Sequence, residues 1–390
     1  MKRVGAWLIG ARGSISCVTI AGHSAITLGL ANQNGMVTSR PEFVDAKLLD
    51  LADLVFGGHD ISVTPLRDVA SHVFSRCLMP MPDERILGDL DDCDGRIRPG
   101  ISKSDHQASS TSQAKTDIEL TAIISDDLNL FRNENKLHHV IVVNLASTEP
   151  VSPDSSTYAT IESLKAAMTV GTSHLPASAI YAYAAITSGC SYINFTPSRG
   201  SDIPALWELA VQNRVVHMGC DGKTGETLVK SVLAEMFRQR NLTVLSWFGQ
   251  NILGGGDGRS LSDPANKASK LITKENVLSK VLGYAPEHHV GIDYVASLDE
   301  WKIAWDHIHF SGFLGGAMSM EFTWRGMDSM LAAPLVLDLI RLTALALDRG
   351  EYGALSALAC FFKRPMGSNE ARFSAQNEAL LSWVYGAGDL

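Results

Sequence analysis

Several strings in this chain carry the residue types that hold anions and stabilise developing negative charge. Gly10-Ala11-Arg12-Gly13-Ser14-Ile15 offers glycines that let a backbone approach phosphate, ahead of a helix with free N–H groups and a positive dipole end. It is GxxGS rather than the full GxGxxG, so it reads either as a pyrophosphate cradle or as a plain tight turn. Asn144-Leu145-Ala146-Ser147-Thr148-Glu149-Pro150 is a polar cluster that suits either the ligand-facing end of a strand or a helix N-cap. Gly219-Cys220-Asp221-Gly222-Lys223-Thr224-Gly225-Glu226-Thr227 sets glycines and threonines before a helix, as phosphate-cradling loops do, but lacks the upstream glycine of a Walker loop. Asn251-Ile252-Leu253-Gly254-Gly255-Gly256-Asp257-Gly258 is a further glycine-dense loop directly after a strand, and ordinary loop punctuation is the alternative for both. Lys270 and Lys274, four apart, share a face if helical. Taken alone, such a pair suits a solvated surface.

The elements that must position these strings alternate. Residues 4–9 form a short apolar strand, the glycine turn follows, and residues 16–30 read as a helix stopped by Gly35. Residues 89–115, rich in Asp, Ser, Gly and Pro, read as an exposed excursion. Residues 116–135 read as helix and 140–145 as a fully buried strand of the parallel type. This alternation predicts an α/β fold on a doubly wound parallel sheet. From about Phe195 the texture changes to strand-like runs at 242–247, 289–295, 302–310 and 317–324. The third alternates, with Ile303, Trp305, His307 and His309 on one face and Lys302, Ala304, Asp306 and Ile308 on the other. That pattern predicts an open sheet with one covered face, in an inserted α+β domain, before helix resumes at Asp328.

Length and composition narrow the function classes. At 390 residues the chain suits two domains, and 45% hydrophobic with 19% charged residues is the make-up of a globular enzyme. A net charge of −9 argues against nucleic acid as a partner. The most apolar stretch, 330–347, carries Pro334, Asp338 and Arg341, so it reads as a buried helix and not a membrane span. Six scattered cysteines and a start that enters a strand directly predict reduced thiols and a cytoplasmic protein.

In order along the chain, Asn194-Phe195-Thr196-Pro197, Ile203-Pro204-Ala205-Leu206, the Asp221–Thr227 string, Asn251-Ile252-Leu253-Gly254, Ala332-Ala333-Pro334-Leu335 and Phe361-Phe362-Lys363 resemble the myo-inositol-1-phosphate synthase family, in its short archaeal and bacterial form. The likeness covers nearly the whole chain and is weakest over 78–115. It implies a Rossmann-like NAD-binding domain from both chain ends (1–195 and 326–390), around a catalytic and tetramerising domain (196–325) on an open mixed sheet. It further implies that Gly10, Ala11, Arg12, Gly13, Ser14 and Ile15 line the NAD pyrophosphate. Asn144, Ser147 and Thr148 would lie along the cofactor, with Asp221, Asp257 and Asp328 also on it. Asn194, Thr196, Asn251 and Leu253 would meet substrate, and Lys270, Lys274, Lys302 and Lys363 would be the catalytic lysines. Cys220 stands where relatives carry Asp or Asn, which puts the need for a divalent or monovalent cation in doubt.

The reaction so implied is redox-neutral: ring-opened glucose 6-phosphate is oxidised at C5, enolised, closed by aldol attack of C6 on C1, and reduced again with the same tightly bound NAD. Each stage puts negative charge on oxygen, which preorganised ammonium groups in a dry site stabilise. Grouping four lysines lets like charge and burial lower one ammonium's pKa toward neutrality. By resemblance Lys270 and Lys302 serve the C5 oxygen, and Lys274 and Lys363 the C1 oxygen, nearby hydroxyls or phosphate. A relative that cyclises fructose 6-phosphate to a five-membered cyclitol phosphate, and a non-catalytic NAD-binding regulator, are the alternatives.

Overall fold

The computed structural model describes residues 2–76, 81–101, 116–152, 154–261, 263, 266 and 278–386. Eleven strands are described: β1 (Val4–Ile9), β2 (Leu54–Asp60), β3 (Ile97–Pro99), β4 (His139–Asn144), β5 (Ser191–Asn194), β6 (Val216–Met218), β7 (Thr243–Leu253), β8 (Glu287–Tyr294), β9 (Lys302–Ser311), β10 (Ala317–Gly326) and β11 (Gly353–Ala354). Seven of them form one sheet in the order β11-β6-β5-β4-β1-β2-β3. Every pairing in it is parallel. A strand buried on both faces must be apolar throughout, and all six residues of β1 are buried.

Helices cover both faces. One apolar layer joins the helices Ser14–Thr27, Glu84–Asp94 and Asp328–Asp348 to β1, β2 and β4. The other joins Asp117–Glu134, Ile161–Thr169, Ala177–Thr187 and Pro204–Gln212 to the opposite face. The sheet is therefore doubly wound, and strand order reverses between β1 and β4. Open α/β sheets bind ligands outside the carboxyl ends of the strands at such a reversal.

The second sheet has the order β10-β9-β7-β8, with β7 and β8 parallel and the other two pairings antiparallel. The alternation expected in β9 is present: Lys302, Ala304, Asp306, Ile308 and Phe310 are buried, while Ile303, Trp305, His307 and His309 face outward. The covered face packs Trp247, Ile308 and Phe310 against Phe237 of the helix Gly225–Gln239.

Three expectations need correction. Residues 89–115 are not simply an excursion: Glu84–Asp94 is a helix capped by Asp83, and β3 follows as the edge strand. Residues 102–115 lie outside the described residues. The first helix spans Ser14–Thr27 rather than 16–30. The large sheet also runs past residue 195, since β6 and the helix Pro204–Gln212 belong to it, so the second sheet begins only at β7. The apolar segment near 330–347 is the helix Asp328–Asp348, which is long and apolar enough to cross a membrane by composition but has two thirds of its most apolar window buried in this core.

Candidate active site

The turn after β1 is built as the sequence demands. Gly10 adopts φ +79°, and a Cβ there would lie 3.0 Å from Ala146 Cα, so glycine alone fits the approach of the two strand ends. The N–H groups of Gly10 and Ala11 both donate to the carbonyl of His59, at 2.9 and 3.1 Å. Gly13 is the N-cap of the helix Ser14–Thr27 and supplies no side-chain cap, which leaves first-turn donors available to an anion. Arg12 turns away. Its guanidinium donates to Asp94 at 2.8 Å and to the Ser62 carbonyl at 2.8 Å, while its backbone N–H donates to Asp60 Oδ2 at 2.6 Å.

A cavity of about 230 Å³ opens beside this turn, between the carboxyl ends of the large sheet and the start of β9. Gly13, Ser14 and Ile15 line it, together with Ser147 and Thr148 beyond β4, Thr196 beyond β5, Asp221, Leu253, Lys302, Asp328 and Lys363. Eight separate segments thus converge. Gly10, Ala11 and Arg12 shape the turn without lining the cavity.

Of the four lysines expected to be catalytic, the two described ones are each held by a carboxylate. Lys302, the first residue of β9, donates to Asp328 Oδ2 at 3.1 Å, and Asp328 opens its helix, where an acid is favoured by the dipole. Lys363 Nζ sits 3.0 Å from Asp221 Oδ1, with both side chains only 6% exposed. Backbone bonds fix that pair: Asp221 N–H donates to the Thr196 carbonyl at 2.9 Å, and Lys363 N–H to the Asp221 carbonyl at 2.7 Å. A Cβ on Gly222 would fall 2.2 Å from the Phe195 ring, so this glycine lets the loop lie flat on it. These two lysines are therefore paired cations. Lys270 and Lys274 lie outside the described residues.

Asn144, Asn194 and Thr196 form a buried network: Asn144 Nδ2 donates to Asn194 Oδ1 and Thr196 Oγ1, each at 3.2 Å, and Thr196 Oγ1 donates to Asn194 Oδ1 at 2.8 Å. Asn194 and Asn144 act behind Thr196 rather than in the cavity lining. Asn251 is fully buried in β7, and neither atom of its amide has a hydrogen-bond partner among the described residues. An unmet buried amide costs about 1–3 kcal/mol per group, and Asn251 does not line the cavity. Asp257 belongs to the short helix Gly255–Ser260, at the glycine-rich rim of the cavity. Cys220 is buried with its Sγ 3.5 Å from Asn194 Nδ2, and burial pushes its thiol up to about 11.

Sequence reasoning missed one residue of the cavity lining, Glu300, and two others, Asp60 and Lys223, that stand behind the lining. Asp60 ends β2, where dinucleotide folds place the carboxylate that takes ribose hydroxyls. Its signal was blurred because short 3-10 turns from Val37 to Asp53 intervene, well beyond the usual spacing of about 20 residues. Glu300 lines the cavity and accepts a bond from Ser14 Oγ at 3.2 Å, and burial raises its carboxyl above the usual range. Lys223, central in the Asp221–Thr227 string, is buried and donates to Gln376 Oε1 at 2.6 Å, and burial lowers its ammonium to about 8.

The arrangement has the parts of a dinucleotide enzyme: a phosphate-facing helix start, a polar wall after β4 and two oriented ammonium groups. Comparison with known proteins gives the same answer. The family model for myo-inositol-1-phosphate synthase matches residues 4–384. The inositol-3-phosphate synthase 1 of Bacteroides thetaiotaomicron is 33% identical, covering 93% of this chain and 90% of that protein. The inositol-3-phosphate synthase of Dictyostelium discoideum is 31% identical over 80% of this chain, which spans only 66% of that longer protein. The crystal structure of inositol-3-phosphate synthase from Caenorhabditis elegans superposes with a TM-score of 0.87 at 26% identity, covering 98% of this chain and 85% of that one.

Proposed function

This chain belongs to the myo-inositol-1-phosphate synthase family, and on that premise we propose that it is an NAD-dependent isomerase converting glucose 6-phosphate to 1L-myo-inositol 1-phosphate. The observation that carries the reading is the convergence of Lys302 and Lys363, each aimed by its own carboxylate, on one cavity with the Gly13–Ile15 turn. Gly13, Ser14, Ile15, Ser147 and Thr148 are the residues to hold NAD, which when bound supplies the reversible oxidation at C5.

The protein's own groups do the rest. Lys302 sits against the C5 oxygen and stabilises first its alkoxide and then the enolate formed when C6 gives up a proton. Lys363 sits at the aldehyde oxygen of C1 and holds the alkoxide made as C6 bonds to C1. Asp328 and Asp221 fix where each ammonium points, so little reorganisation is left for the reaction. Thr224, an extended N-cap with no side-chain cap bond, leaves the start of the helix Gly225–Gln239 open to the substrate phosphate. The substrate and product are isomers, so no net oxidation accompanies turnover.

The same reading makes the enzyme a homotetramer assembled on the open face of the second sheet. Phe248 and Trp305 are exposed there at 42% and 38%, and the β9–β10 turn exposes Phe313 and Leu314 at 90% each. It also makes the protein cytoplasmic, in keeping with five buried free thiols among the described residues. Carbon NMR of the product tests the function: glucose 6-phosphate with NAD should give six ring carbons and no anomeric signal. A five-membered cyclitol phosphate from fructose 6-phosphate would transfer the chemistry to the other sugar, and no product from either would leave a binding protein.

A further inference from the structure

We propose that His138, His139 and Asp348 form a binding site for a divalent transition-metal ion of the zinc class, at the amino-terminal edge of the large sheet and away from the cofactor cavity. One ligand-capable atom from each residue lies within 4.8 Å of the others. His139 opens β4 and His138 precedes it, its N–H donating to the Arg3 carbonyl at 2.8 Å. Neighbours within a strand would point to opposite faces. These two instead bring their rings together, with centroids 4.3 Å apart and planes at 60°.

Asp348 arrives from elsewhere in the sequence as the last residue of the helix Asp328–Asp348. Its Oδ1 lies 3.8 Å from His139 Nε2, and that buried nitrogen makes no hydrogen bond. Ligands about 2.0–2.1 Å from a tetrahedral ion sit about 3.3 Å apart, so closing this set on an ion asks for about 0.5 Å between Asp348 and His139 and up to about 1.5 Å at the widest pair, a movement open to the exposed side chains of His138 and Asp348. Two imidazoles and one carboxylate with remaining positions for water is a ligand set that takes zinc, nickel, cobalt or iron.

The helix itself argues for a cation here. Its last turn carries no basic residue and ends in an acid, which the negative end of the dipole disfavours, and the C-cap Arg349 turns its guanidinium to the Trp383 and Val384 carbonyls instead. Lys2 answers part of that need with Nζ 2.7 Å from Asp348 Oδ1, but the two side chains are 61% and 43% exposed. Such a surface pair is worth little and yields to a divalent ion. The bound ion would then tie the start of β4 to the far end of the helix whose first residue holds Lys302.

The test uses the full chain, stripped with a chelator and titrated with Zn²⁺ by calorimetry and with Co²⁺ by its visible d–d bands. The parent should bind one more equivalent than the His139→Asn/Asp348→Asn variant, or bind it at least tenfold more tightly. Its melting temperature should rise with Zn²⁺ while the variant's does not. Lys2→Met should bind several-fold more tightly than the parent, because the competing ammonium is gone, and turnover should be unchanged in all three proteins. Equal stoichiometry and affinity in parent and variant, a Lys2→Met no tighter than parent, or no binding at micromolar Zn²⁺ would each overturn the proposal.

Discussion

Replacing Lys302 by methionine separates catalysis from folding. Lys302 is buried to within 10% of its side chain and is the first residue of β9, so methionine keeps the apolar stem in place while removing the charge. Its partner Asp328 is 31% exposed and can be rehydrated where it stands. The stability lost with such a half-solvated pair should be below about 1 kcal/mol. The chemical loss is much larger, because one preorganised donor to a developing oxyanion contributes about 10²–10³ in kcat, or about 3–4 kcal/mol. Turnover measured by inositol phosphate release should therefore fall by about 10²–10³, with the urea midpoint close to parent. NAD affinity should barely change, since the interaction is made to the reacting oxygen and not to the dinucleotide. A variant within tenfold of parental turnover would refute the assignment of Lys302 to the C5 oxygen.

Lys363→Met should behave differently, because it takes the cation away from an Asp221 that is only 6% exposed, and the stability lost by urea unfolding should exceed that of Lys302→Met. Adding Asp221→Asn should restore most of that stability and none of the turnover. Asp60→Asn should weaken NAD binding by about tenfold, or about 1.4 kcal/mol, and narrow the preference over the 2′-phosphorylated dinucleotide, as read by calorimetry with each. Asp338 is buried and accepts bonds from Val37 N–H, Thr38 N–H and Thr38 Oγ1, yet burial outweighs these and raises its carboxyl to about 6. The folded state thus binds its proton more tightly than an unfolded carboxyl near 3.9 does. That contribution, about 3 kcal/mol, is complete below about pH 4 and lost as pH rises through about 6. Urea unfolding of parent minus Asp338→Asn should show this slope between those pH values, and a flat difference would remove Asp338 as its source.

Sequence carried the architecture wherever a single element wrote its own signal. The apolar run of β1, the glycine turn behind it and the alternation of β9 are local patterns, and each sits where expected. The helix Glu84–Asp94 was hidden by its acidic outer face, although Ile86, Leu87, Leu90 and Cys93 recur at helical spacing and are buried. β6 escaped because three residues are too few to show a period, and that misplaced the boundary at 195. The site was legible as residue types and not as partnerships. Asp221 and Lys363 meet across 142 residues, and no spacing rule announces that a catalytic lysine will be held by a buried carboxylate. Arg12 shows the converse: a basic residue inside a phosphate-type turn was drawn off by Asp94, which lies in the helix the sequence concealed.

In the proposed reaction the sugar is oxidised and reduced again within one binding event. Glucose 6-phosphate bearing deuterium at C5, turned over with unlabelled NAD in excess, tests it most directly. Inositol phosphate that keeps the label at the corresponding carbon, with no reduced nicotinamide accumulating in solution, is the predicted result. Deuterium passing into the free nicotinamide pool, or absorbance of reduced nicotinamide growing in step with sugar consumed, would make the protein an ordinary dehydrogenase and contradict the account.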